Sequence, residues 1–215
     1  MPDPITLFRG AASAGALYAV GHEDGLRADQ QPDATPVWRF DRAARAWTVV
    51  LPDARRVNAL AATDDSVFAL ARDGRIWSTN AEVPDVPSAG NNLYGLSVDA
   101  DGAAASVGAN NAFHVRMGSE DWTSIEVGPT AGNSLDRLRA VGTPGDYETI
   151  EAYMEALRAA TEGLRNLYCV VGTPPGDVLA GTDGGILLRW DGTTLSEVAT
   201  GTSSNIVRIA PAGGG

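Results

Sequence analysis

The stretch GGILLRWDGTTLSEV, from Gly184 to Val198, places two short runs of strand-forming residues between tight turns. Gly184-Gly185 precedes the first run, and Asp191-Gly192 separates it from the second. Glycine and aspartate tolerate the backbone angles that tight hairpin turns require. The stretch therefore predicts a β-hairpin, and similar stretches elsewhere in the chain indicate that this hairpin belongs to a repeated unit.

The same order of strands and turns occurs in three other segments, and three of the four third strands share an aliphatic or aromatic residue followed by arginine. These strands are Trp38-Arg39-Phe40-Asp41, Val115-Arg116-Met117-Gly118 and Leu188-Arg189-Trp190-Asp191, with Ile76-Trp77 as a weaker copy. One small sheet cannot bury both of its faces, but repeated sheets in a ring cover one another and protect their edges. The sequence predicts an all-β fold, a β-propeller of four to five small antiparallel blades in which residues 1–215 form a single domain.

The spacing of the units is uneven, because they begin near Ile5, Val57, Leu93, Leu138, Leu167 and Ile206. A polar, proline-rich loop at residues 24–36 lengthens the first unit. The second unit lacks a fourth strand, since prolines interrupt AEVPDVPSAG. The final NIVRIAPAGGG is predicted to be a lone strand. It either closes the ring against the N-terminus, which we favour, or pairs with another chain.

A helical insertion at residues 143–166 interrupts the repeats. YETIEAYMEALRAATEGLRN has apolar residues at spacings of three and four, which predicts an α-helix over about 146–166 with Thr143-Pro144 at its start. The apolar stripe packs on the propeller itself, or it contacts a neighbouring subunit or partner. The candidate partner-binding residues are Ile150, Tyr153, Met154, Leu157 and Leu164.

The charge pattern is acidic and free of lysine. The net charge is -11, all 16 basic residues are arginine, and 18 of the 27 acidic residues are aspartate. Such a surface is typical of proteins from extreme halophiles or their viruses, although a high-GC genome also replaces lysine with arginine. The acidic balance argues against nucleic-acid binding. No apolar run is long enough to span a membrane, and MPDPITLFRG lacks a signal-peptide pattern.

Two segments, GSEDWTSIEV at 118–127 and FDRAARAWTVVLPDARRVNAL at 40–60, resemble the Asp-box repeats of sialidase-type propellers. They are also similar to the repeats of photosystem-assembly-factor-type propellers. Trp47 and Trp122 stand at the tryptophan position of the repeat, and Leu195 replaces it in the last full unit. The resemblance implies a propeller fold. A sialidase also needs an arginine triad, a tyrosine nucleophile and acidic partners, for which this sequence offers no residue-by-residue match.

Candidate residues for chemistry are few. His22 and His114 are the only histidines, and we interpret both as structural rather than as ligands or acid–base groups. Asp99 and Asp101 precede a glycine as in part of a calcium loop, but the remaining ligands are missing, so a hairpin turn is predicted. Cys169 is the single cysteine and is interpreted as a buried thiol. No cofactor or metal site is expected.

Trp38, Trp77 and Trp190 occupy matching strands, where aromatic side chains wedge neighbouring blades together or form a platform for glycans. The sequence as a whole predicts a non-catalytic propeller for protein interaction, assembly or recognition, and we expect it on the virion of a halophile virus as a capsid, turret or tail decoration. Its partners would be proteins or further copies, bound through the inserted helix or the terminal strand. The alternatives are a carbohydrate-binding or glycan-cleaving propeller and a cytosolic scaffold of a halophilic or high-GC prokaryote.

Overall fold

Four antiparallel sheets make up the computed structural model, which describes residues 5–13, 15–23, 35–80, 82–88, 90–128 and 134–210. The first sheet contains β1 (Ile5–Ala12), β2 (Leu17–Glu23), β3 (Val37–Asp41) and β4 (Ala46–Leu51). The second contains β5 (Val57–Ala62), β6 (Val67–Ala71) and β7 (Ile76–Ser78). As predicted, no fourth strand follows β7 within the described residues.

The third sheet contains β8 (Leu93–Val98), β9 (Ala104–Gly108), β10 (Phe113–Arg116) and β11 (Thr123–Ser124). The fourth contains β12 (Leu167–Val171), β13 (Val178–Thr182), β14 (Ile186–Trp190) and β15 (Leu195–Ala199). Strands that follow one another in the chain are neighbours in every sheet. The predicted all-β propeller of four to five antiparallel blades is therefore confirmed, with four blades in the described residues.

The hairpin of the opening stretch shows how the local sequence sets these turns. The Asp191 carboxylate accepts hydrogen bonds from the backbone N–H groups of Thr193 and Thr194, at 3.0 and 2.8 Å. These bonds hold the pKa of that carboxyl below its ordinary value. Gly192 follows at a φ of 99°, which a residue with a side chain rarely adopts. The Asp-Gly pair thus closes the turn between β14 and β15.

Three apolar cores lie between consecutive sheets. Sheets one and two share a core that includes Val20, Val37 and Val67. Phe68 and Leu93 belong to the core between sheets two and three, and the core between sheets three and four contains Phe113, Leu167, Leu188 and Trp190. The innermost strands β1, β5, β8 and β12 pack side by side in that order. No core cluster of the described residues joins the fourth sheet to the first.

The inserted region is helical but differs from the prediction in its bounds. It contains two helices, α1 (Ser134–Val141) and α2 (Ile150–Thr161), which pack on each other. The prediction that a repeat begins near Leu138 is wrong, because that residue lies in α1. Thr149 rather than Thr143 caps α2, by accepting a hydrogen bond from the Ala152 N–H at 3.1 Å. Thr143-Pro144 instead opens a short 3-10 turn that Asp146 closes.

Two further expectations are corrected at the ends of units. The third strands do not all share one register. Val115 and Leu188 both lie in the core between sheets three and four, so Val115 points from its own sheet toward the following sheet, whereas Leu188 points from its own sheet toward the preceding one. The segment after Asn205 forms no strand up to residue 210, although the Ile206 N–H donates to the Thr182 carbonyl at 2.9 Å. The predicted polar loop at 24–36 lies outside the described residues except for its last two positions.

Candidate functional site: the central cavity

The four innermost strands line a cavity of about 650 Å³. Each sheet contributes the first strand of its unit, and residues near the C-terminus complete the lining. The lining residues are Arg9, Gly10, Asn58, Ala59, Leu60, Tyr94, Gly95, Leu96, Tyr168, Cys169, Val170, Val207 and Arg208. The cavity is therefore a product of the repeat, because equivalent strands meet there.

A β-bulge recurs in all four innermost strands. The pairing register shifts once in each strand, between Leu7 and Arg9, Val57 and Ala59, Leu93 and Gly95, and Leu167 and Cys169. A bulge adds one residue to a strand and re-aims its side chain. The extra residue is Asn58 in the second sheet, Tyr94 in the third and Tyr168 in the fourth, and all three line the cavity. The repeated bulge thus presents polar and aromatic groups to one space.

The two tyrosines form a stacked pair across the boundary of the third and fourth sheets. The ring centroids of Tyr94 and Tyr168 lie 6.1 Å apart, with 18° between the ring planes. Asn58 is held beside them, since its side-chain amide donates to the Leu93 carbonyl at 2.8 Å. Parallel rings on a half-buried surface provide a flat contact for a planar or extended ligand group.

The charge of the cavity is opposite to that of the chain. Arg9 and Arg208 line it, and no Asp or Glu occurs among its described lining residues. Neither guanidinium forms a hydrogen bond or an ion pair within the described part of the chain. In a protein with net charge -11, such a lining is suited to an anionic group.

The thiol in the cavity wall is not poised for reaction. Cys169 donates to the Ile206 carbonyl at 3.4 Å, and burial raises the pKa of the thiol above its ordinary value. The thiolate is the nucleophilic form of cysteine, so a raised pKa leaves the group protonated at neutral pH. The predicted buried thiol is in fact half-buried. Its role here is to hold the C-terminal segment against β12.

The apolar stripe of the inserted helix is divided by the structure. Ile150 and Met154 are 59% and 53% exposed. Tyr153 packs edge-on against Tyr147, with ring centroids 5.6 Å apart. Leu157 and Leu164 are half-buried. Two of the five candidate partner-binding residues therefore face solvent, and none of the five lines the central cavity.

His114 lies in β10 and is buried away from the cavity lining. Its Nδ1 lies 3.0 Å from the Ser124 hydroxyl, while its Nε2 is buried without a hydrogen-bond partner. Burial lowers the pKa of the imidazole to about 4, so the ring is neutral at physiological pH. The side chain of His22 lies outside the described residues.

Asp99 forms the predicted turn. One carboxylate oxygen accepts from the N–H groups of Asp101 and Ala103, at 3.0 and 2.9 Å, and the other accepts from the Thr173 hydroxyl at 2.9 Å. The last contact ties the third sheet to the fourth. Within the described ranges, no group of three or more His, Cys, Asp or Glu side chains is arranged to hold a metal ion.

The tryptophans behave as wedges in two of the three matching strands. Trp190 is buried in the core between sheets three and four, and Trp77 packs against the core between sheets one and two. Each contacts the sheet that precedes its own. Trp38 is only half-buried. Among the described helices, none has the length and apolar character needed to cross a bilayer.

Comparisons with known proteins support the fold. No protein-family model matches the chain, and no curated protein matches it. Among solved structures, it is similar to YCF48 bound to a D1 peptide, with a TM-score of 0.50 and 9% identity over 90% of this chain and 66% of that one. These structural neighbours are β-propeller-type proteins, so the resemblance to photosystem-assembly-factor-type propellers is confirmed at the level of fold.

Two other solved structures are similar at lower scores. The extracellular domain of the hybrid two-component system BT4673 from B. thetaiotaomicron has a TM-score of 0.49 and 15% identity, over 91% of this chain and 22% of that one. A luciferin-regenerating enzyme has a TM-score of 0.46 and 10% identity, over 93% of this chain and 63% of that one. The chain thus spans between about a fifth and two thirds of the length of these proteins.

Proposed function

We propose that the protein is a non-catalytic β-propeller module that binds an extended, anionic segment of a partner protein in its central cavity. The observation that carries this proposal is the lining of the cavity, which Arg9 and Arg208 share with the Tyr94–Tyr168 pair and which includes no Asp or Glu among its described residues. Guanidinium groups bind carboxylates through charge-assisted hydrogen bonds. Tyrosine rings contribute contact area to an extended chain.

The state of the ionisable groups favours binding over catalysis. A nucleophilic cysteine requires a lowered pKa, but burial raises that of Cys169. A general base requires a pKa near the working pH, whereas that of His114 is lowered to about 4. Neither group is therefore tuned for proton transfer or covalent chemistry. The structure of YCF48 with a D1 peptide gives a precedent for a propeller that binds a peptide.

The inserted helix offers a second contact to the same partner or to another one. Ile150 and Met154 form an exposed apolar pair one helical turn apart. Such pairs are anchors when a helix packs into a groove of a partner. We propose that five residues stabilise this contact. Ile150 and Met154 are buried directly against the partner, and the others support the helix, namely Tyr153, Leu157 and Leu164.

For the setting, we propose the virion of a halophile virus, with the module acting as a capsid, turret or tail decoration. The support is compositional, since all 16 basic residues are arginine and the net charge is -11. The genes on either side give the test. Genes for structural virus proteins would support the virion, whereas cellular neighbours would favour the cytosolic scaffold.

Binding of anionic peptides is testable with three labelled octapeptides made of glutamate, of lysine, and of alternating glycine and serine. We expect fluorescence polarisation to show binding of the glutamate peptide alone, with affinity falling as salt rises. The variant Arg9→Ser/Arg208→Ser should bind at least about tenfold more weakly, since a charge-assisted hydrogen bond contributes about 1.5–3 kcal/mol. The variant Arg42→Ser, which removes an exposed arginine outside the cavity lining, is the control.

Equal binding of all three peptides, or an unchanged affinity in the double-arginine variant, would overturn the proposal. A glycan array separates it from the carbohydrate alternative. A glycan that binds the wild-type protein and is lost in Tyr168→Ala, but not in the double-arginine variant, would favour the carbohydrate alternative instead.

A further inference from the structure

One face of the first sheet is apolar and exposed across its strands. The pairings Leu17↔Phe40, Phe40↔Trp47 and Trp38↔Val49 place these side chains on the same face, because directly opposite residues of an antiparallel pair point the same way. Leu17, Trp47 and Val49 are 37%, 41% and 42% exposed. We call these five residues the free face of the first sheet. Contiguous exposed apolar residues are typical of interaction surfaces.

The three internal interfaces show what such a face normally contacts. Trp77 in the second sheet and Trp190 in the fourth each pack against the sheet that precedes them in the chain. Trp38 occupies the matching strand of the first sheet, on the side where a preceding sheet would lie. No sheet of the described chain packs there. We call the side of a sheet that faces the preceding sheet its leading face, and the opposite side its trailing face. The free face is the leading face of the first sheet, and the leading faces of the other three sheets are each covered by the sheet before them.

The fourth sheet carries the matching trailing face. The pairings Val171↔Leu179 and Leu187↔Val198 place aliphatic side chains on the face away from the third sheet. The chain's own Ile206 lies against the inner part of this face, beside Gly181, so the part open to a second copy is the outer one. Val198 is 43% exposed, and Leu179 and Leu187 are half-buried. Arg189 lies on this face, as Arg39 does on the trailing face of the first sheet, which already packs against the second sheet. An arginine at this position is thus compatible with sheet-on-sheet packing.

From these two faces we infer that the protein self-associates head to tail, with the free face of the first sheet packed on the trailing face of the fourth sheet of a second copy. The occupant is a second copy because it supplies the same kind of trailing face that covers the leading face in each internal interface. A head-to-tail contact leaves a free face at each end unless the assembly closes. Two copies that form both contacts at once make the smallest assembly without an exposed end.

Cross-linking tests the pairing of faces directly. Cys169 is the only cysteine, so Cys169→Ser provides a cysteine-free background. Val49 and Val198 both lie on the outermost strands of their sheets, in equivalent positions for the proposed contact. When a protein carrying Val49→Cys is mixed with one carrying Val198→Cys, a short bis-maleimide should yield a cross-linked dimer. Each protein on its own should yield much less of this dimer. Equal cross-linking of each protein alone would overturn the head-to-tail arrangement.

Sedimentation equilibrium over a wide range of protein concentration gives the second test. We expect twice the mass of one chain for the wild type and for Thr123→Glu, which alters an exposed position on the third sheet. Leu17→Glu and Val49→Glu should each yield a monomer, with an unchanged circular dichroism spectrum showing that the sheets are intact. Molar salt should not weaken the dimer, because an apolar contact is not screened.

A wild-type monomer at all concentrations would overturn the proposal, as would a dimer that persists in Leu17→Glu and Val49→Glu and dissociates in Thr123→Glu. A doubly substituted chain, Val49→Cys/Val198→Cys, that cross-links only within itself would also overturn it by showing that one chain closes its own ring. None of these outcomes depends on peptide binding in the cavity, so the two proposals fail independently.

Discussion

The third and first sheets have the same strand order but different surroundings. In the third sheet, residues of β8 and β9 pack toward the second sheet, while Phe113 and Val115 pack toward the fourth. In the first sheet, Val20 and Val37 pack toward the second sheet, but Trp47 and Val49 on the other face remain exposed. Both sheets are apolar on both faces. The position of a sheet in the series of four, and not its composition, therefore decides how much of that sheet is buried.

This difference has consequences for stability. A sheet covered on both faces contributes the free energy of two apolar interfaces, whereas the first sheet contributes that of one until a partner covers it. Regions with fewer buried contacts open at lower free energy than the core. In the isolated chain the third sheet should thus be the most protected of the four-stranded sheets, and the first sheet should be less protected than the third.

The largest expected effect comes from truncating a phenylalanine in each sheet. Phe113 is 1% exposed, so Phe113→Ala should lower the free energy of unfolding by about 3–5 kcal/mol. Phe40 is half-buried, and its ring centroid lies 5.1 Å from that of Trp47. Phe40→Ala should cost about 1–2 kcal/mol in dilute solution. Urea denaturation of both variants measures the difference.

The same pair of variants sharpens the comparison when protein concentration is varied. If a second copy covers the first sheet, the cost of Phe40→Ala rises with concentration while that of Phe113→Ala does not. Equal costs for the two variants in dilute protein would show that the first sheet is as well covered as the third, contrary to the structure.

A smaller effect is expected from the histidine of the covered sheet. The pKa of His114 falls from its ordinary 6.5 to about 4 in the folded chain, because the buried ring disfavours the charged form. The unfolded chain therefore binds more protons between these two values. Stability is greatest above pH 6.5 and falls by about 3 kcal/mol as the pH drops toward 4, since each pKa unit corresponds to 1.36 kcal/mol.

The control for this titration is His114→Asn, which keeps a polar group near Ser124 but does not titrate. Carboxylates also titrate at low pH, so the informative quantity is the difference in free energy of unfolding between wild type and variant at each pH. That difference should change between pH 6.5 and 4 and stay level above pH 7. A level difference throughout would mean that the imidazole is hydrated in the folded chain.

Local sequence was sufficient to predict the strands and turns but not every boundary. Asp191-Gly192 specifies its hairpin through backbone hydrogen bonds made by the same few residues, so the signal is complete within the stretch. The prediction of a repeat start at Leu138 was wrong because its likeness to the start at Leu167 extends over only a few residues, whereas Ser134 to Val141 folds as a helix against α2.

The central cavity was not predicted because it depends on register. Tyr94 and Tyr168 line it only through bulges in β8 and β12, and a one-residue shift exchanges the two faces of a strand. A signal was nevertheless present, since LYGL at 93–96 and LYCV at 167–170 open equivalent units with tyrosine in the same place. The shared register predicted for Val115-Arg116 and Leu188-Arg189 is wrong for the same reason. Residues that match in sequence between β10 and β14 point to opposite faces of their respective sheets.

The smallest effect on stability is expected in the inserted helix. Ile150 and Met154 are more exposed than any large apolar residue of the free face, so Ile150→Ala and Met154→Ala should each change the free energy of unfolding by less than about 0.5 kcal/mol. Tyr153→Ala should cost more, since it removes the contact with Tyr147 that holds α2 to the preceding turn. Thermal denaturation of the three variants distinguishes the two classes. A large loss in Ile150→Ala or Met154→Ala would show that the helix is covered within its own chain. If neither substitution changes the free energy of unfolding but both weaken the capture of a partner protein, the exposed pair Ile150 and Met154 is assigned to binding.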